Sequence, residues 1–335
     1  RWAQRGGRGM PVKVVMQNEL TMGAADRIRE MAEVVVDPDL EQVSGADIVV
    51  VGRGPADAAF MARAGNRLKM LATPGIGVDK IDVEAAGERG IVVIHNPDAP
   101  SQSTAEHTVA LLTALAARVM TGDRFLREGR PLDREKMRGT ELRGRNLGVV
   151  GYGRIGRRVA AACALGLGMN VRVCDPLVDQ GQETPEGVTL TGDFDSVFRD
   201  AKFVTLHVPL APGTRHLVGE RELHLIPEGG YLVNASRGPV VDEQALIRAL
   251  QEGHLAGAAL DVTDPEPPFQ DNPLLAMDNV IVTPHIASNT DLGVRAMMHG
   301  VADQIAQVIA GEPPRSMVDP KVWPGRFAGW SAADS

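Results

Sequence analysis

Short runs of β-branched residues alternate with longer helical stretches along most of this chain. From residue 12, "VKVVM" precedes the helical "AADRIREMAE", and "DIVVV" at residues 47–51 precedes the helical "ADAAFMARAG". The runs "KMLAT" and "IVVI" continue the pattern. Alternation of strand and helix signals is typical of a parallel sheet that is covered by helices. The sequence therefore predicts an α/β fold.

A second series of strand signals begins at "NLGVV" and continues through "NVRVC", "FVTLHV", "YLVNA", "AGAALDV" and "NVIVTP". Before it, residues 101–120 predict one long helix that could link two domains or lie in a dimer interface. An amphipathic helix is expected at about residues 291–310, and its periodicity does not decide which domain it packs against. A length of 335 residues fits about two domains.

Composition and charge narrow the classes of function. The formal net charge of -8 disfavours a nucleic-acid partner, because binding to phosphates needs an excess of Lys and Arg. No apolar run is long enough to span a bilayer, so we expect no membrane partner. Cys163 and Cys174 have neither metal-ligand nor CxxC spacing, so we expect no metal site and two reduced, buried thiols in a cytoplasmic protein. We also expect Met10 to be the native start, with residues 1–9 a tag or an upstream extension.

The segment "VVGYGRIG" at residues 149–156 matches the G-x-G-x-x-G pattern of dinucleotide-binding turns. The pattern alone is weak evidence, but here an apolar strand precedes it and a helix rich in Ala and Leu follows it. In this context Gly151 permits a tight turn, Gly153 lets the backbone approach a pyrophosphate, and Gly156 allows close packing of helix on strand. The N-terminus of the helix would present free N–H groups to the phosphates.

An acidic residue, Asp175, ends the next strand, "VRVCD", about twenty residues after the last glycine. Its carboxylate can accept hydrogen bonds from both ribose hydroxyls and would repel a 2′-phosphate. The pattern therefore predicts that the cofactor is NAD and not NADP. Arg154, inside the fingerprint, is positioned for a phosphate contact.

Three later strands each end in polar residues suited to catalysis. "YLVNASRG" delivers Arg237, "ALDVTDPEP" delivers Asp261 and Glu266, and "VIVTPHIAS" delivers His285. The carboxyl ends of parallel strands lie at one edge of the sheet, where ligands bind, so we expect these side chains to converge. Arg237 can hold a substrate carboxylate through paired hydrogen bonds. A protonated His285 can donate to a carbonyl oxygen as hydride reaches its carbon, and Glu266 can orient that imidazole.

The order of these motifs resembles that of the D-isomer-specific 2-hydroxyacid dehydrogenases of the phosphoglycerate dehydrogenase and glyoxylate/hydroxypyruvate reductase type. The resemblance runs from about residue 45 to residue 315. It rests on "PGIGVDKID", "STAEHTVALLTALAAR", "ELRGRNLGVVGYGRIG", "LHVPLAPGTRHLV", "NASRGPVVDEQAL", "LDVTDPEP" and "TPHIAS". It implies an NAD-dependent enzyme that interconverts a small 2-oxo acid and its D-2-hydroxy acid.

The resemblance also implies roles for individual residues. The residues that match the family's catalytic positions are Arg237, Glu266 and His285. The expected cofactor-binding residues are Gly151, Gly153, Arg154, Ile155, Gly156, Asp175, His207, Val208, Pro209, Ala235, Ser236, Arg237, Asp261, His285 and Ser288. The expected substrate-binding residues are Arg53, Gly75, Ile76, Gly77, Arg237 and His285, with backbone N–H groups of the Ile76–Gly77 loop facing the substrate carboxylate.

At the level of architecture, the resemblance implies two doubly wound parallel-sheet domains. A Rossmann NAD-binding domain over residues 101–289 would be inserted into a flavodoxin-like substrate domain formed by residues 10–100 and 290–335. Family members are generally dimers closed by the long helix, so we expect a homodimer. Closure of the two domains would exclude water from the hydride transfer.

Two positions depart from the family's pattern. Thr263 stands where Phe or Tyr is usual, which changes packing but removes no catalytic group. Gly52-Arg53-Gly54 replaces an Arg-Ser pair, so the pattern does not support a phosphate contact there, although Arg53 could reach a distal anionic group. Because the chain ends soon after "TPHIAS" and one helix, we expect no appended regulatory domain.

Two alternatives stay open at this point. Corepressors that share this fold bind nicotinamide cofactors as sensors, and they can keep the same Arg, Glu and His. Formate-type dehydrogenases pair the histidine with Gln, so the acid at Glu266 favours hydroxyacid chemistry. The other histidines, including His107, His224 and His254, are interpreted as structural, and His207 is expected to line the cofactor cleft without transferring protons.

Overall fold

The computed structural model describes residues 11–52, 54–131, 133–135 and 137–323. The chain divides into two compact units. Of the described residues, those up to 100 and those from 290 onward form the first unit, and those between 101 and 289 form the second. The second unit is therefore inserted into the first.

The first unit is built on a five-stranded parallel sheet. Its elements are β1 (Lys13–Met16), α1 (Ala24–Arg29), β2 (Glu33–Val36), β3 (Ile48–Val50), α2 (Ala58–Ala64), β4 (Met70–Ala72), α3 (Val83–Glu88) and β5 (Val92–Ile94). The strand order is β2-β1-β3-β4-β5, and every neighbouring pair is parallel. This is the doubly wound order of flavodoxin-like folds.

The second unit is built on a seven-stranded parallel sheet in the order β12-β11-β10-β9-β6-β7-β8. Its elements are α4 (Ser101–Ala116), α5 (Val119–Arg127), β6 (Asn146–Val150), α6 (Arg154–Ala161), β7 (Asn170–Cys174), β8 (Val188–Thr191), α7 (Ser196–Arg199), β9 (Phe203–Leu206), α8 (Glu220–Leu225), β10 (Gly230–Asn234), α9 (Glu243–Gln251), β11 (Leu255–Leu260), α10 (Pro273–Ala276) and β12 (Val280–Val282). The chain reverses its direction of winding between β6 and β9. In sheets of this kind, dinucleotides bind at the carboxyl ends of the strands beside that reversal.

The central strands of this second sheet are buried on both faces. All residues of β9 and β10 are buried. Val204 and Leu232 lie in one hydrophobic core, whereas Phe203 and Val233 lie in the other. Burial on both faces explains why these strands are continuous apolar runs in the sequence.

The final helix, α11 (Asp291–Ile309), belongs to the first unit. Val301, Ile305 and Val308 share a buried core with Val14 and Ile94. The helix therefore packs against the first unit, which its periodicity alone did not decide. Among the helices that the structure describes, none has both the length and the apolar character needed to span a bilayer.

The predicted fold class is confirmed by the two strand orders, but two predicted element boundaries are wrong. The single helix expected over residues 101–120 is two helices. The chain breaks at Arg118, which has φ 54°, and Ala116 O accepts a hydrogen bond from Thr140 N at 2.8 Å. The helix expected over "AADRIREMAE" ends at Arg29, because Glu33–Val36 pairs with β1 as an edge strand. Cys163 and Cys174 are free and buried, as predicted.

Candidate active site

The turn after β6 contains two glycines that pack against backbone. Gly151 has φ 95°, and a Cβ there would lie 2.5 Å from the carbonyl oxygen of His207. A Cβ at Gly156 would lie 2.1 Å from the carbonyl oxygen of Gly151. A larger residue at either position would displace backbone, so the fold itself requires both glycines.

Gly153 differs from the other two glycines of the fingerprint. It is exposed and has φ -71°, and no heavy atom of the described residues lies within 4 Å of the position that a Cβ would take. It is the N-cap of α6 and supplies no side-chain hydrogen bond to the first turn. This open space is at the N-terminus of α6, where the first N–H groups have no hydrogen-bond partner within the helix. A pyrophosphate fits this arrangement, because a helix N-terminus attracts anions and a side chain here would block their approach.

Asp175 follows β7 and is half-buried beside this turn. Its Oδ2 accepts a hydrogen bond from Tyr152 N at 2.8 Å, and its Oδ1 accepts one from Leu177 N at 2.9 Å. A carboxylate has about four acceptor sites, so capacity is left for the hydroxyls of an adenosine ribose. The residues present therefore fit NAD, and the negative charge disfavours the 2′-phosphate of NADP.

His207 and Val208 follow β9 and pack against the glycine turn. His207 N donates to Val150 O at 2.7 Å, and Val208 Cγ1 would lie 3.1 Å from a Cβ at Gly151. The His207 ring contacts Thr205 Oγ1 through Nε2 at 3.0 Å. Desolvation lowers the pKa of His207 to about 3, although part of the residue stays accessible. The ring is therefore uncharged near neutral pH.

The turn after β10 is organised by a buried asparagine. Asn234 is 1% exposed, and its Oδ1 accepts hydrogen bonds from Ser236 N at 3.0 Å and Ser236 Oγ at 2.8 Å. Its Nδ2 donates to Arg237 O at 2.9 Å. Arg237 is half-buried, and its Nη1 donates to Ser236 O at 2.8 Å. Sequence reasoning selected Ser236 and Arg237 but missed Asn234, because an Asn at a strand exit is also common in ordinary turns.

Asp261, directly after β11, is 1% exposed and is hydrogen-bonded on both carboxylate oxygens. Oδ1 accepts from Thr283 Oγ1 at 2.6 Å and Ile286 N at 2.9 Å, and Oδ2 accepts from Ala287 N at 2.9 Å. Burial by itself would raise the pKa of Asp261. Hydrogen bonds from His107, Thr283 and the two backbone N–H groups outweigh that effect and hold the pKa below its ordinary value. The ionised carboxylate therefore fixes the loop that follows β12.

The structure adds His107 and Thr283 to this network. His107 Nε2, on α4, lies 3.2 Å from Thr283 Oγ1 and 3.4 Å from Asp261 Oδ1. No local sequence pattern predicts this arrangement, because His107 and Thr283 are 176 residues apart in the chain. His107 therefore has a structural role, because it contacts the Asp261 carboxylate that holds the loop after β12.

His285 and Glu266 are brought into contact. His285 Nδ1 lies 2.6 Å from Glu266 Oε1, and the two side chains are 39% and 41% exposed. His285 has φ 52°, a left-handed conformation that is uncommon outside glycine. Its backbone N donates to Asp261 O at 2.8 Å. The loop anchored on Asp261 therefore holds His285 in a strained conformation with its Nδ1 on a carboxylate.

The remaining predicted residues lie at strand ends and helix starts. In the second unit, Arg154 is exposed, Ile155 is half-buried, Pro209 is exposed, Ala235 is buried and Ser288 is half-buried. In the first unit, Gly75 O accepts a hydrogen bond from Asn96 N at 2.8 Å, and Ile76 O lies 3.0 Å from His95 Nδ1. Gly77 is half-buried, and Arg53 lies outside the described residues. Within the described part of the chain, no group of three or more His, Cys, Asp or Glu side chains could hold a metal ion.

Residues 109–287 match the family model described as D-isomer specific 2-hydroxyacid dehydrogenase, NAD binding domain. The chain belongs to the D-isomer-specific 2-hydroxyacid dehydrogenase family. NAD is the cofactor of the matched domain, so the predicted family and cofactor are both confirmed.

The relatives of this chain differ in the substrate that they are named for. The chain is 40% identical over 314 residues to D-3-phosphoglycerate dehydrogenase of Methanocaldococcus jannaschii, over 92% of this chain and 59% of the relative. It is 38% identical over 290 residues to glyoxylate reductase of Korarchaeum cryptofilum, over 84% of this chain and 86% of the relative. D-Lactate dehydrogenase of Aquifex aeolicus, solved with NAD and lactic acid, aligns with a TM-score of 0.82 and 27% identity over 91% of this chain and 98% of that chain. The chain spans about half the length of the phosphoglycerate dehydrogenases it matches.

Proposed function

We propose that this dehydrogenase interconverts a small 2-oxo acid and its D-2-hydroxy acid with NAD. The observation that carries the proposal is the 2.6 Å contact between His285 Nδ1 and Glu266 Oε1. It lies at the carboxyl ends of strands in a sheet that also carries the dinucleotide turn. A histidine with one ring nitrogen on a carboxylate is oriented for proton exchange through the other nitrogen.

In the proposed reduction, His285 donates its Nε2 proton to the carbonyl oxygen of the substrate. Its Nδ1–H donates to Glu266, whose negative charge stabilises the imidazolium and fixes the ring. NADH, when bound, supplies the hydride to the carbonyl carbon. In the reverse direction, the neutral Nε2 accepts the proton of the substrate hydroxyl.

Arg237 is the proposed ligand of the substrate carboxylate. A guanidinium presents two parallel N–H donors that match the two oxygens of a carboxylate. The anchoring of its backbone by Asn234 supports this role, because it restricts where the side chain can reach. The contributions of Arg53, Gly75, Ile76 and Gly77 to substrate binding stay predictions.

A substrate panel tests the proposal. Glyoxylate, hydroxypyruvate, pyruvate and phosphohydroxypyruvate are each offered with NADH, and the loss of absorbance by NADH is followed. We expect turnover with at least one of them, and slower turnover when NADPH replaces NADH because of Asp175. NADH-dependent binding to a partner protein without any turnover would instead support the sensing alternative. Reduction of NAD by formate would support the formate-type alternative.

We also propose that the chain forms a homodimer in which α5 takes part. This helix exposes Val119, Met120 and Leu126 at 56%, 47% and 68%, and clustered exposed apolar side chains favour association. Light scattering should report twice the chain mass of 35.7 kDa. A mass equal to that of one chain would contradict the dimer.

A further inference from the structure

The segment between β11 and α10 carries Glu266 and is attached at two points to one side chain on another element. Glu243, in the first turn of α9, accepts a hydrogen bond from Asp264 N on Oε2 at 3.0 Å. Its Oε1 accepts one from Asn272 Nδ2 at 2.7 Å. Glu266 lies between these attachment points in the chain. Both oxygens of Glu243 are therefore bound to the segment that holds the partner of His285.

The attachment at Asn272 is itself rigid. Asn272 is 9% exposed, and its Oδ1 accepts a hydrogen bond from Leu274 N at 3.0 Å as the N-cap of α10. The segment has one hydrogen bond of its own before Glu266, from Thr263 Oγ1 to Pro265 O at 2.8 Å. Beyond it the side chains are open to solvent, since Glu266 is 41% exposed and Phe269 is 67% exposed. The position of Glu266 therefore depends on how the ends of the segment are held.

Helix capping does not account for Glu243. An acidic residue in a first turn interacts favourably with the helix dipole, but α9 already has Asp242 as its N-cap, with Oδ1 accepting from Ala245 N at 3.1 Å. The ion pair nearest to this end of the segment is weak, because Arg215 Nη1 lies 3.9 Å from Asp264 Oδ2 and both side chains are exposed.

We propose that Glu243 is a positioning residue for the acid–base pair. It fixes Asp264 and Asn272 so that Glu266 Oε1 stays within hydrogen-bond distance of His285 Nδ1. The role rests on the proposed function, because the pair affects catalysis only if His285 exchanges the substrate proton. Glu243 acts through Glu266 and not on the reacting atoms.

A defined change should follow when Glu243 becomes Gln. The substitution keeps the size and one acceptor oxygen but replaces the other with an NH2 group, which cannot accept a hydrogen bond. One attachment is then lost, and Glu266 contacts His285 for less of the time. His285 Nδ1 then lacks its acceptor for more of the time, and this changes the chemical shift of that nitrogen.

The other ionisable groups near the His285 loop are unaffected by this substitution. The carboxylate of Asp261 faces Thr283 and the backbone of the loop, and His107 faces Asp261. Neither is hydrogen-bonded to Glu243 in the part of the chain that the structure describes, so a change at His285 Nδ1 reports on Glu266.

The test is the NMR nitrogen chemical shift of His285 Nδ1, measured at one fixed pH in the full chain without substrate or cofactor. The resonance is assigned with His285→Asn. The chemical shift should change in Glu266→Gln, and it should change in the same direction by a measurable part of that amount in Glu243→Gln. The double variant should show no larger change than Glu266→Gln. Gln244→Ala, at an exposed position of the same helix, is the matched control and should keep the wild-type chemical shift.

Asn272→Ala is the second variant, and it releases one attachment while leaving Glu243 in place. It should change the chemical shift in the same direction, so the proposal stays testable if Glu243→Gln does not fold. Wild-type chemical shifts in both variants would overturn the inference, and so would fully additive changes in the double variant. An unchanged chemical shift in Glu266→Gln would overturn it too. Failure of the proposed function shows separately, as absence of turnover in the substrate panel.

Discussion

Neither the backbone conformation nor the packing of the described residues requires a glycine at the position of Gly153. Its φ of -71° suits any residue, and a Cβ would have no heavy atom of the described chain within 4 Å. Gly156, three residues later, would place a Cβ 2.1 Å from a carbonyl oxygen. At the scale of residues, the fold accounts for Gly156, whereas the approach of a pyrophosphate accounts for Gly153.

Replacement of Gly153 by Ala should therefore affect NADH binding, whereas replacement of Gly156 by Ala should affect stability. Gly153→Ala should keep the wild-type melting temperature but weaken NADH binding by about tenfold or more, equivalent to about 1.4 kcal/mol. Gly156→Ala should lower the melting temperature, because backbone must shift to admit the methyl group. Thermal melts and fluorescence titration with NADH measure both effects. Normal NADH affinity in Gly153→Ala would contradict the assignment of this turn to the pyrophosphate.

The site residues that the sequence could predict are those that directly follow strands. Asp175, Arg237, Glu266 and His285 each come within a few residues of a β-strand end, where the topology of a parallel sheet brings polar groups together. Glu243 could not be recognised in this way. It is 21 residues from Asp264 and lies in a helix, where an acidic residue in the first turn is ordinary.

At the scale of elements, the loop after β12 depends on one buried carboxylate. Thr283, Ile286 and Ala287 all donate to Asp261, and His285 in the same loop is held at φ 52°. A strained residue persists only where its surroundings determine its conformation. The conformation of the loop after β12 therefore depends on Asp261, which follows β11.

Asp261→Asn should release this loop. The amide keeps the size of the side chain but turns one acceptor into a donor, so at least one buried N–H or O–H group loses its partner. We expect the free energy of unfolding to fall by about 1–3 kcal/mol, hydrogen exchange of the Ile286 and Ala287 amides to accelerate, and kcat to fall. Asp264→Asn, at an exposed carboxylate, is the control. Unchanged exchange at both amides would contradict the anchoring role.

The element boundaries that the sequence missed were set by tertiary contacts. Only Glu33 of this strand belongs to the stretch predicted as helix, and pairing of Glu33–Val36 with β1 sets the boundary. The break between α4 and α5 depends on Thr140, whose N–H bonds to Ala116 O. The first case has a local signal, because three consecutive valines favour a strand. The second case depends on a contact between segments that are distant in sequence, so local propensity could not show it.

At the scale of the whole molecule, His207 links stability to pH. Its pKa is about 3 in the folded chain, against about 6.5 for an exposed histidine. Between these two values the unfolded chain binds a proton that the native chain does not. Stability is therefore lost as the pH falls below about 6.5, by at most about 1.4 kcal/mol per pH unit from this residue.

His207→Asn should flatten that dependence. The variant should have a lower free energy of unfolding than wild type at pH 7, because the contact with Thr205 changes, but the difference should narrow toward pH 4. Urea denaturation at several pH values measures the slope. His224→Asn, at an exposed histidine on α8, is the control. Parallel slopes for wild type and His207→Asn would show that His207 is not kept uncharged by the fold.

The most direct test of the proposed chemistry is the turnover number of His285→Ala with the best 2-oxo acid of the panel. The affinity for NADH is measured on the same preparation. We predict that kcat falls by a factor of about 10² to 10⁴, the range typical of a lost general acid, while NADH still binds with close to wild-type affinity. Turnover at the wild-type rate would contradict the role of His285 as the proton donor.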